Sequence, residues 1–170
     1  FLKLKNSAFL YGLSLEHISY APTTIKSDSI LYGDRPFAAS IVLKSFFVAT
    51  DTIRKSRLAS ALSLGIIGPG AFGKETQVRI HEWIGDEIPR GWQHQIKNDV
   101  VINYEIAHEK ELLRLRNLFY LNSNAKLRLG TMNTNVSGGF TAAFGKVNAP
   151  FASGKNNKFQ VYAYFQPMLT

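Results

Sequence analysis

Apolar and polar side chains alternate along most of this chain with a period of two, which predicts strands that keep one face in apolar surroundings. In residues 7–20, Phe9, Tyr11, Leu13 and Leu15 fall on one side, and Gly12, Ser14 and Glu16 on the other. From Phe37 to Val48, one face carries Phe37, Ala39, Ile41, Leu43 and Phe47, opposite Ala38, Ser40, Val42 and Lys44. Leu58, Leu62, Leu64 and Ile66 then alternate with Arg57, Ala59, Ala61, Ser63 and Gly65. Further on, Val100, Ile102, Tyr104 and Ile106 oppose Asn103 and Glu105. The clearest alternation sets Phe119, Leu121, Ala125, Leu127 and Leu129 against Tyr120, Asn122, Asn124, Lys126 and Arg128. Val136, Phe140, Ala142 and Phe144 face away from Ser137, Gly139, Thr141 and Ala143, and Phe159, Val161, Ala163 and Phe165 away from Gln160, Tyr162, Tyr164 and Gln166.

These segments predict seven strands, mostly of ten residues or more, where soluble sheets usually have about five or six. Short charged turns are expected at 51–55 and 109–116, a turn at 131–134, and a Gly/Asn/Lys loop at 148–157. Two connections are long, 21–36 and 67–97. Each follows an odd-numbered strand, so an up-and-down topology puts both on one rim and the charged turns on the other. Long strands with Asn, Lys and Arg on the polar face favour a transmembrane β-barrel over a soluble sandwich with one wet face.

Residues 66–98 interrupt the alternation. Gly68, Pro69 and Gly70 end a strand, and the chain then reads as a helix from Phe72 to Ile84. Phe72, Thr76, Ile80, Trp83 and Ile84 share one face by three-and-four spacing, and Gln77 and His81 share a different one. Gly85 can stop the helix, and Pro89 and Gly91 turn the chain again. A helix with a polar stripe, set in a long connection, is where function is expected.

Composition adds little to the fold and something to the chemistry. The 170 residues are 45% hydrophobic and 19% charged, as in a folded chain. With no Cys, a disulfide framework and a thiol nucleophile are both excluded. The net charge of +8 suits anionic partners such as phosphate-bearing lipid or lipopolysaccharide. Nucleic acid is not expected, since no stacked aromatic motif or helix-turn-helix accompanies the charge. No apolar run is long enough for a transmembrane helix. The chain begins Phe1-Leu2-Lys3 and ends at Thr170 just after an apolar strand, so both ends read as cuts through one longer barrel domain covering 1–170. A second His at metal-ligand spacing is missing from the helix, which argues against zinc.

Three pieces have a familiar order and spacing. They are Gly33-Asp34-Arg35-Pro36-Phe37-Ala38, then Ile66-Ile67-Gly68-Pro69, then Gln77-Val78-Arg79-Ile80-His81-Glu82-Trp83-Ile84-Gly85-Asp86-Glu87 with Gly91-Trp92 and Gln95 after it. Taken together, the chain resembles the lipid A 3-O-deacylases of the Gram-negative outer membrane. The resemblance covers nearly the whole chain, which would supply about seven of the family's twelve strands. It implies an all-β, antiparallel up-and-down transmembrane β-barrel with one short helix in an outer loop. Part of the family's site, an Asn-Asp pair and a hydroxyl residue, would lie in strands preceding this chain.

The resemblance also implies an activity: hydrolysis of the 3-linked acyl ester of lipid A by a His general base with calcium. By position His81 is the implied base and Glu87 the implied acidic residue. Glu87 could orient the imidazole or bind the cation, and the sequence leaves both open. Gln77, one turn before His81, could position it or the substrate. Asp86 has no counterpart in the motif. Asp34 and Arg35 read as a structural ion pair, Trp83 and Trp92 as packing or interface anchors. Lys26, Lys74, Arg79 and Arg90 could meet lipid phosphates. His17, His94 and His108 have no evident partner. A closed barrel needs no second copy, so a monomer is expected. The competing expectation is a non-catalytic outer-membrane barrel of the same fold.

Overall fold

Strands form where the alternation places them. The structure, a computed structural model, describes residues 7–116, 118–145, 151, 162–165 and 168–169. Its strands are β1 (Ser7–Tyr20), β2 (Ala38–Asp51), β3 (Ser56–Ile67), β4 (Asp99–Leu115), β5 (Phe119–Gly130), β6 (Asn135–Gly145), β7 (Tyr162–Phe165) and β8 (Met168–Leu169). Among the described residues one α-helix, α1 (Gly73–Ile84), lies between β3 and β4, with short 3₁₀ turns at Pro69–Ala71 and Trp92–His94. Neighbours in sequence are neighbours in the sheet, in the order β1-β2-β3-β4-β5-β6-β7. β5 runs antiparallel to β4 and β6. β7 and β8 both pair with β6 in the same register, Ala142 opposite Phe165 and Gly138 opposite Leu169. The expected start of the last strand, 159–161, lies outside the described residues, as does the 148–157 loop apart from Phe151.

By its internal contacts the chain divides into two units, residues 1–12, 45–62 and 103–170, and residues 13–44 and 63–102. In the first unit the usual sidedness of a soluble protein is reversed. Its buried residues are small or polar: Ala49, Ala61 and Ala143, with Asp51, Glu111, Asn122 and Ser137. Its large apolar side chains, among them Leu58, Leu62, Leu127, Leu129, Val136, Phe140 and Phe144, are exposed. The inner polar groups pair with one another, leaving Asn122 Oδ1 and Arg114 Nη1 without a hydrogen-bond partner among the described residues. Arg128 meets Glu105 at 2.5 Å, Arg57 meets Glu109 at 3.3 Å, and Asn122 donates to Glu109 at 2.7 Å. Glu111 is held by Arg114 at 2.7 Å and Lys55 at 2.8 Å. Apolar side chains point outwards and paired charges inwards because the strands stand in hydrocarbon, where an unpaired charge or an open backbone group costs several kcal/mol. This sidedness selects the membrane barrel over the soluble sandwich.

β4 corrects one expectation. The segment Glu109–Arg116 was expected as a charged turn, but the strand continues through it to Leu115 with an irregularity between Glu111 and Leu113. Glu109 and Glu111 belong to the inner row and are neutralised by Arg57, Lys55 and Arg114 rather than by solvent. The turn after β2 is as expected: the Asp51 carboxylate accepts from the N–H groups of Ile53 and Arg54 at 2.9 and 2.7 Å. No helix among the described residues is long and apolar enough to cross a membrane, so crossing falls to the strands.

Sidedness gives a test. Leu62 lies in the middle of β3 and is 44% exposed. In a bilayer, Leu62→Arg should cost about 2–4 kcal/mol. The full-length protein, unfolded by urea in lipid vesicles, should show this as a lower midpoint. A change within about 0.5 kcal/mol would mean that the outer face is wet.

Candidate active site

The second unit carries both long connections, and they are bonded to each other. The Arg90 N–H donates to Ile25 O at 2.8 Å, and Gln93 Nε2 donates to Asp28 O at 2.8 Å. His94 Nε2 reaches the same carbonyl at 3.0 Å, so His94 does have a partner. Both connections therefore stand on one rim, as the up-and-down topology requires.

α1 is docked by its smallest residue. Gly68, at φ 105°, turns the chain off β3, and its N–H bonds Ala39 O on β2 at 2.8 Å. Gly70 N–H bonds the Asn98 side chain at 2.7 Å. The helix then starts at Gly73, one residue after Phe72, which takes the left-handed conformation as its cap. A Cβ on Gly73 would stand 2.3 Å from Ala39 Cβ and 2.7 Å from the Trp92 ring, so only glycine fits this approach. Trp92 is 1% exposed, stacks obliquely on Phe37 at 4.8 Å and donates its indole N–H to Gln77 Oε1 at 2.9 Å. Phe37, Ala39, Ala71 and Trp92 form the core of this region, with Ala21, Ile25 and Ile41 packed against it. Trp92 is thus a packing anchor and Trp83, 86% exposed, is not. Gln77 is tied to Trp92 one turn away from His81.

The C-terminal end of α1 builds the site. Gly85, at φ 69°, ends the helix, and the Asp86 N–H returns to His81 O at 2.9 Å. This reversal brings the next peptide back over the imidazole. His81 Nδ1 lies 2.7 Å from the backbone carbonyl of Glu87. A carbonyl oxygen only accepts, so Nδ1 carries the proton, and in the neutral ring Nε2 then holds the free lone pair. The Asp86 carboxylate stands 3.6 Å from the same Nδ1, while its other oxygen accepts the Glu87 N–H at 2.7 Å. The His81 side chain is only 14% exposed. His81 and Glu87 are therefore brought together, but through a backbone atom. The Glu87 carboxylate turns to Lys26 on the other connection, at 2.5 Å, and this hydrogen bond and charge raise the Lys26 pKa.

Asp86 is the contact that sequence reasoning passed over. The one signal for it was its place after the helix-stopping Gly85. Asp34 and Arg35 are structural, but not as an ion pair. The Asp34 carboxylate accepts from the N–H groups of Thr23 at 2.6 Å and Arg35 at 2.8 Å, and the Arg35 guanidinium donates to Ala21 O at 2.6 Å. Among the described residues no three His, Asp or Glu side chains converge as a metal site. Glu87, the one ligand candidate, is already neutralised by Lys26.

The sequence model of one family, outer membrane protein LpxR, matches residues 2–170. The chain belongs to the LpxR family of outer membrane proteins. Its structure is also similar to that of LpxR from Salmonella typhimurium, with a TM-score of 0.69 at 22% sequence identity. That match covers 82% of this chain and 52% of the Salmonella protein, so the chain spans about half the length of its solved LpxR relative. No curated protein matches it. The LpxR barrel is the fold that the alternation and the three sequence pieces imply.

Two predictions follow from the docking. Trp92→Ala should cost the rim about 3–5 kcal/mol, and Gly73→Val should displace α1. Limited proteolysis should then cut the 68–98 connection in both variants while the strands stay intact. The Asp34 bonds set a pH dependence. The Thr23 N–H, chiefly, holds the Asp34 carboxyl below its ordinary 3.8. Its contribution is complete above that value and is lost as pH falls through the lower folded one. Backbone hydrogen exchange at Thr23 should accelerate only below pH 3.8, and Asp34→Asn should remove that step.

Proposed function

We propose that the protein of which this chain is part is an esterase that hydrolyses the 3-linked acyl ester of lipid A, with His81 as general base. One observation carries the reading: the Glu87 carbonyl fixes the proton on His81 Nδ1, which leaves Nε2 free to take one from water. Water loses a proton to Nε2 and its oxygen adds to the ester carbonyl. The tetrahedral intermediate expels the sugar oxygen, which takes the proton back from the imidazolium. The products are a free 3-acyl acid and a sugar hydroxyl. The Asp86 carboxylate, largely exposed, lies 3.6 Å from Nδ1.

Calcium remains part of the proposal as a family property, supplying charge for the developing oxyanion. Its ligands would have to come from outside the described residues, apart from Glu87 should Lys26 release it. Lys74, Arg79 and Arg90 stand exposed on the same connection and suit the lipid A phosphates.

The full-length protein, refolded in detergent and given lipid A with calcium, should release one 3-hydroxyacyl chain by mass spectrometry. His81→Ala should lower the rate about 10²–10⁴-fold. Lipid A that binds a folded barrel without losing an acyl chain would replace the esterase with a binding or structural barrel.

A further inference from the structure

α1 has three flanks, and only one of them meets the protein. At about 100° per residue, Gly73, Gln77, Val78 and His81 share the flank that packs inwards, all of them buried or half-buried. Glu75, Arg79 and Glu82 form a second flank, exposed and charged. The third consists of Ile80, Trp83 and Ile84, which are 49%, 86% and 59% exposed, with the half-buried Thr76 among them, its hydroxyl bonded to Phe72 O. A helix between protein and water needs two flanks. A third, apolar and bare, needs a third medium.

The position of α1 supplies that medium. The helix covers the outward row of β2 at Ala39. Ile41, the next residue of that row, is half-buried against the same core, and Leu43, the one after, is 50% exposed. On β3 and β4 the outward residues Leu64, Ile66, Val100 and Ile102 are likewise exposed. The helix therefore stands where the lipid-facing surface of the strands begins, and its bare flank continues that surface. Aromatic side chains at this level are the usual membrane-interface anchors.

We propose that α1 is an interfacial helix whose Ile80–Trp83–Ile84 flank inserts among the acyl chains of the adjoining leaflet. The docked flank, with His81, faces the barrel wall, and the charged flank faces water. The proposal rests on membership of an outer-membrane family and on exposure, and is independent of the esterase reading.

The test uses the full-length protein in vesicles of phosphatidylcholine with brominated or unbrominated acyl chains. Subtracting the fluorescence of Trp83→Phe isolates Trp83, and a Phe at so exposed a position leaves the packing unchanged. The Trp83 signal should lose most of its intensity to brominated lipid, most strongly with bromines nearest the headgroup, and should resist aqueous iodide. Quenching by iodide with none by bromolipid would place the flank in water and overturn the proposal. Protection from both would overturn it in favour of a covering protein surface.

Discussion

The rim depends on the fit of one indole. Trp92 fills the space between Phe37 and Gly73, with its N–H held by Gln77. That contact joins the start of β2, the first turn of α1 and the return of the connection to β4. A side chain at residue 73 would push the ring or the helix aside. The reversal at Gly85, which places the Glu87 carbonyl over His81, is a short local structure with few contacts of its own. It keeps its geometry because the helix beneath it is fixed.

The barrel wall depends on a different constraint, the exchange of water for hydrocarbon outside it. Leucine and phenylalanine are exposed because their surroundings are apolar, and glutamate and arginine are buried because they pair. Glu105, Glu109 and Glu111 each meet a cation across the inner face. Such pairs gain strength in a region of low dielectric, and each would be costly if one partner were removed. The same apolar surroundings explain how α1 can carry bare isoleucines and a bare tryptophan beside a charged flank.

The strands were legible because a period of two survives any choice of residues that alternates, and β1 to β3 and β5 to β6 lie close to where it put them. The end of β4 was not. Five charges in eight residues read as a solvated turn, whereas here the acidic ones line the inside of the strand. The helix was legible to within a residue from Gly68, Pro69 and Gly85. Its docking face was not, because it docks through a glycine and a glutamine and leaves its apolar residues outside. Glu87 shows the limit most clearly. Its place six residues after His81 was visible, but the atom that meets the imidazole is a backbone carbonyl, which no side-chain pattern announces. Its carboxylate answers instead to Lys26, more than fifty residues earlier on another connection.

In the proposed reaction the rim holds His81 so that Nε2 faces the lipid A ester. The most direct measurement is a crystal structure of the full-length protein with a lipid A analogue whose 3-linked ester is replaced by a non-hydrolysable amide. The amide carbonyl is expected beside His81, with a water bridging Nε2 and the carbonyl carbon and with Nδ1 still bonded to Glu87 O. An analogue seated with its 3-linked carbonyl away from α1, or an imidazole turned with Nε2 to the backbone, would contradict it.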